Sequence, residues 1–93
     1  MTPHQMVAEV LDPLRDLLAR QLEDRPSGDP LEMVRERLER LVHNLENEPP
    51  TISKMQALHE LSFLAEHSQR EDLLDFNRGV RHAMQVTMTS AWA

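Results

Sequence analysis

Four stretches of this chain carry apolar residues three and four positions apart, and helix-breaking punctuation separates each stretch from the next. Met6, Val7, Val10, Leu11, Leu14, Leu17, Leu18 and Leu22 form the first row, and Leu31, Val34, Leu38, Leu41, Val42 and Leu45 the second. Ile52, Met55, Leu58, Leu61, Leu64 and Ala65 form the third; Leu73, Phe76, Val80, Ala83 and Met84 form the fourth. This spacing puts each row on one side of an α-helix, and that side must be buried against another element. The expected fold is all-α, a small antiparallel bundle of about four helices making one helical domain over residues 1–93. A chain of 93 residues buries only about two-thirds of the surface its unfolded state exposes. Dimerisation is therefore an expected way to complete the core.

The punctuation suggests where each helix starts and stops. Thr2-Pro3-His4-Gln5 has Thr at the N-cap, Pro at the first helical position and Gln placed to complete a capping box. Pro13 removes an internal hydrogen bond and crowds the preceding turn, yet the apolar row keeps its phase across it. That combination predicts a first helix kinked at Pro13, or two abutting helices with Asp12 as the second cap. Arg25-Pro26-Ser27-Gly28 reads as a loop, Asp29-Pro30-Leu31-Glu32 opens the second helix and Asn47-Glu48-Pro49-Pro50 ends it. Thr51 is the expected cap of the third helix, and Ser68-Gln69-Arg70-Glu71 reads as a capping box starting the fourth near Gln69. The second helix also places Glu36 with Arg40, Arg35 with Glu39 and Glu32 with Arg35 at neighbour spacing, as on a solvated face.

The chemistry-bearing residues point away from catalysis. There is no cysteine, so neither a disulfide framework nor a thiolate metal site is available. Two glycines leave no phosphate-cradling loop. The five histidines fall into neither the His-Glu-x-x-His nor the paired Glu-x-x-His pattern, and Glu71 and Asp72 fit the first turn of a helix, where acids stabilise the dipole. No enzyme activity, cofactor or metal is expected. The N-terminus lacks a basic region followed by an apolar stretch and no apolar run is long enough to span a bilayer, so a cytoplasmic protein without a membrane partner is expected.

Charge narrows the partners. The chain carries a formal −6, with 11 acids and 6 bases in residues 1–50, and no acid follows Asp75. The third and fourth helices could be drawn as a helix-turn-helix, but a recognition helix opening Gln69-Arg70-Glu71-Asp72 would set two acids against phosphate. Nucleic acid is thus the disfavoured partner. The C-terminal end instead combines Arg78 and Arg81 with an apolar surplus of Met84, Val86, Met88 and Trp92, and Phe63 lies off its own helical row. Residues 86–93 are expected to be a docking segment, whose periodicity fits a strand or a helix equally. Large aromatics, Met and Arg are enriched at interfaces. Together these residues predict a contact surface for another protein or for a second copy in a homodimer. A small regulatory or adaptor protein, such as an inhibitor, anti-activator or chaperone, is the expected role. The alternatives are a structural subunit of a phage or secretion assembly and a DNA-binding regulator using the C-terminal half.

Overall fold

A computed structural model describes residues 1–92 as four α-helices, α1 (Pro3–Glu23), α2 (Leu31–Glu46), α3 (Lys54–Glu66) and α4 (Leu74–Thr89), with a 3₁₀ turn at Glu71–Leu73 leading into α4. There is no strand among the described residues. Each helix packs on two others, α1 on α2 and α4, and α3 on α4 and α2, so the contacts close into a circuit. The centre is almost entirely aliphatic, with Leu11, Leu18, Leu38, Leu45, Leu61, Leu64 and Val80 at or near zero exposure. No helix is long and apolar enough to cross a membrane.

Helix α1 starts as its sequence implies. Thr2 Oγ1 accepts from the Gln5 N–H at 3.2 Å, and the Gln5 side chain accepts from the Thr2 N–H at 2.9 Å. It continues as one helix through Pro13, and Asp12 caps nothing, its carboxylate taking instead a bond from Arg15 at 3.4 Å. Helix α3 starts at a different residue than expected. Thr51 is tied by its N–H and hydroxyl to Asn44 at the end of α2, so Ser53 becomes the cap and forms a capping box with Gln56. Ile52 therefore precedes the helix, where it and Ala57 occupy the positions of a hydrophobic staple, both buried. The buried face of α3 runs through Ala57, Leu61, Leu64 and Ala65, which leaves Met55 on the opposite side and 77% exposed.

The start of α4 also departs from expectation. Ser68 is fully buried and turned back on α3, where its hydroxyl donates to Leu64 O at 2.7 Å and accepts from Asn77 Nδ2 at 2.9 Å. A hydroxyl so engaged cannot cap a helix ahead of it. The chain makes the 3₁₀ turn first, and α4 begins at Leu74. Residues 84–89 are helical, which resolves the ambiguous periodicity up to Thr89; Ala93 lies outside the described residues.

The charges on α2 do not pair along the helix. Glu39 receives two bonds from Arg15 of α1, at 2.8 and 3.1 Å, and Glu60 of α3 receives two from Arg37, at 2.9 and 3.1 Å. These forked pairs cross-link helices, and the bonds that Arg15 donates to Glu39 hold its guanidinium above its ordinary pKa. Arg25 does the same for the loops. It donates to Gln21 O, to Asp29 and to Asp72, binding the end of α1 to the α1–α2 connection and the 3₁₀ turn.

Asp29 sits in this knot. The Leu31 N–H bonded to its carboxylate at 2.9 Å, with Arg25 beside it, holds the carboxyl below its ordinary value of 3.8. A group depressed on folding contributes stability that is complete above the unfolded pKa and disappears as pH falls through the folded one. Urea unfolding below about pH 4 should therefore weaken steadily, and Asp29→Asn, which keeps an acceptor but not the charge, should flatten that decline. An unchanged slope would mean Asp29 contributes nothing to acid sensitivity.

Candidate functional site

The residues expected to form the contact surface divide into two groups. Phe63, Met84, Val86 and Trp92 are partly buried against the core. Phe63 lies beneath the Arg37 guanidinium, 4.1 Å from the ring centroid, and stacks on His67 at 4.1 Å. Trp92 turns back onto the N-terminus of α1, where its ring meets His4 at 4.2 Å with a tilt of 53°. His4 Nε2 lies 3.2 Å from Ile52 O. The end of α4 is held by Lys54, whose Nζ donates to Met88 O at 3.1 Å and to Ser90 O at 3.0 Å.

Arg78, Arg81 and Met88 stay on the outside, along one strip of α4. The exposed positions 74, 78, 81, 85 and 88 follow each other at intervals of four and three, which is one helical face. This strip contains Leu74, 52% exposed, and is flanked by exposed His82. Leu74 was missed because Leu73, its buried neighbour, satisfied the apolar row. Arg78 has a single acidic neighbour, Asp75 at 3.9 Å, and both side chains are largely exposed, so the pair is weak. Arg81 is more firmly placed. Its Nε donates to Asn77 Oδ1 at 2.8 Å, and Asn77 Nδ2 is itself bonded to Ala65 O and Ser68 Oγ, both at 2.9 Å.

Of the two acids of the supposed recognition turn, Asp72 is occupied. Asp72 bonds Arg25 and Arg70, and its carbonyl accepts from Gln21 Nε2 at 3.0 Å. Among the described residues no three His, Asp or Glu side chains come together as a metal-binding group. No protein-family model, curated protein or solved structure matches the chain.

Proposed function

We propose that the protein acts by binding another protein through the outer strip of α4, as a small regulatory or adaptor protein that masks a partner's surface. The observation that carries this is a basic strip with apolar ends on a chain of net charge −6. Leu74 and Met88 bracket it, and Arg78, Arg81 and His82 lie between them. A partner with carboxylates around an apolar centre is its complement, and charges in such a rim set encounter rate and specificity. The Ser68–Asn77–Arg81 chain supports the same reading, because a guanidinium already held in place loses less freedom on binding. We read the four helices as an antiparallel bundle with α1 bent at Pro13. A homodimer would use a different face, since an isologous contact through this strip would oppose arginine with arginine.

The test is a charge reversal that spares the core. Arg78→Glu with Arg81→Glu changes two exposed side chains, so the far-ultraviolet circular dichroism should be unchanged. Crosslinking in cell lysate followed by mass spectrometry should lose a specific protein partner that the unaltered chain captures, by roughly tenfold or more. Equal capture by both would sink the proposal. If the unaltered chain shifts DNA in a salt-dependent manner and the reversal abolishes the shift, the strip reads phosphate instead.

A further inference from the structure

A separate cleft lies between the C-terminal half of α2, the segment Thr51–Ile52 and the first turns of α3, with a volume of about 450 Å³. We propose that this cleft binds an organic carboxylate carrying an apolar chain. Its polar wall is built of donors. Asn44 Oδ1 is taken by the Thr51 hydroxyl at 3.2 Å, and Gln56 Oε1 is taken by the Ser53 N–H at 3.0 Å. Each amide is oriented by that bond, and each is left with an NH₂ that has no partner among the described residues. Arg40, one turn before Asn44, forms no ion pair there either, although Glu36 stands at the spacing that would allow one. His59, one turn after Met55 and three residues beyond Gln56, completes the set.

The single acid on the wall, Glu60, is already neutralised, since both of its oxygens are bonded to Arg37. The cleft thus offers a guanidinium and two amide NH₂ groups with no unpaired carboxylate in its own lining, on a protein whose overall charge is negative. A planar fork of this kind matches a carboxylate, and the attraction operates at contact, inside the distance over which salt screens the net charge. The remaining surface is apolar. Leu41 and Ile52 are buried and form the base, and Met55, 77% exposed, is a flexible side chain able to fold over an alkyl chain. Arginine fixes the head group and the methionine and its neighbours take the tail. Nothing in this assignment depends on the α4 strip.

Octanoate titrated into ¹⁵N-labelled protein is the test. The side-chain NH₂ signals of Asn44 and Gln56 should shift and saturate, with the backbone signals of Arg40 and His59. Arg40→Ala removes an exposed, unpaired side chain, so the spectrum should otherwise persist while affinity falls at least roughly tenfold. Octanol should not reproduce the shifts. A short peptide ending in leucine, with a free or an amidated C-terminus, distinguishes the source. If the free-acid peptide binds more tightly than octanoate and the amide does not bind, the natural carboxylate is a chain terminus; the opposite ranking makes it a small acid. Equal binding of octanol, affinity unaffected by Arg40→Ala, or no shift at roughly 10 mM octanoate would each overturn the proposal.

Discussion

Gly79→Ala is expected to destabilise this protein although alanine is the better helix former, and a second change, Leu14→Ala, is expected to reverse the sign. Gly79 lies in the middle of α4, and a Cβ placed there would run into the side chain of Leu14 on α1, approaching its Cγ to 3.1 Å and its nearer methyl still more closely. Leu14 is 5% exposed within a packed core and has little room to retreat. Overpacking of this kind costs about 1–3 kcal/mol, against about 1 kcal/mol gained in helix propensity. The single variant should thus lose about 1 kcal/mol in urea unfolding. Gly79→Val, which drives two further carbons into the same space, should lose most of the few kcal/mol that a domain of this size commands. Leu14→Ala alone should cost about 2–5 kcal/mol. With Leu14 already shortened, however, Gly79→Ala should stabilise by about 1 kcal/mol, a coupling of about 2 kcal/mol between the two positions. Additive effects would mean that α1 and α4 are not held apart by this contact.

From sequence alone Gly79 is only a weak point in a helix, and the reason for it lies on another element. The same division explains which parts of the fold were legible. Thr2 and Gln5 formed the expected capping box because nothing else competes for either side chain. Thr51 and Ser68 were misread because each is bound elsewhere, one to Asn44 and the other to Leu64, Ala65 and Asn77. Cap residues are recognised by type, and a hydroxyl can serve a local helix start or a tertiary contact equally well. The charges on α2 follow the same pattern. A pair such as Arg35 and Glu39 is worth only a few tenths of a kcal/mol at neighbour spacing, so a forked bond from Arg15 readily claims Glu39. Apolar rows proved the most legible feature, since a whole face is harder to divert than one side chain; even so, Met55 on α3 fell outside.

The proposed contact surface was legible in its charges and, among its expected apolar residues, only in Met88. Arg78 and Arg81 are exposed for the simple reason that burying an arginine without a partner is prohibitive. An apolar surplus carries no such constraint. Met84, Val86 and Trp92 look alike to Met88 in a sequence, and only the path of α4 between α1 and α3 decides that Met88 faces out while the others pack inward. The cleft beside Arg40 could not have been read at all, because its donors are left free by bonds that Thr51 and Ser53 make across chain turns.

Trp92→Ala should lower stability by about 2 kcal/mol, below the 3–5 kcal/mol of a fully buried aromatic because the indole is only partly covered. What it would lose is specific: the contact with His4 and the closure of the C-terminal segment over the ends of α1 and α3, where Lys54 already holds Met88 and Ser90. Trp92→Phe should behave differently. The indole Nε1 is buried and has no hydrogen-bond partner among the described residues, and an unsatisfied donor of this kind costs about 1–3 kcal/mol. Phenylalanine keeps an aromatic face for His4 and removes the orphaned N–H, at the expense of some packing area. Its thermal midpoint should match or exceed that of the unaltered chain, and the alanine variant should melt several degrees lower. If phenylalanine is as damaging as alanine, the Nε1 donor is satisfied within the folded chain and anchors the C-terminal segment there.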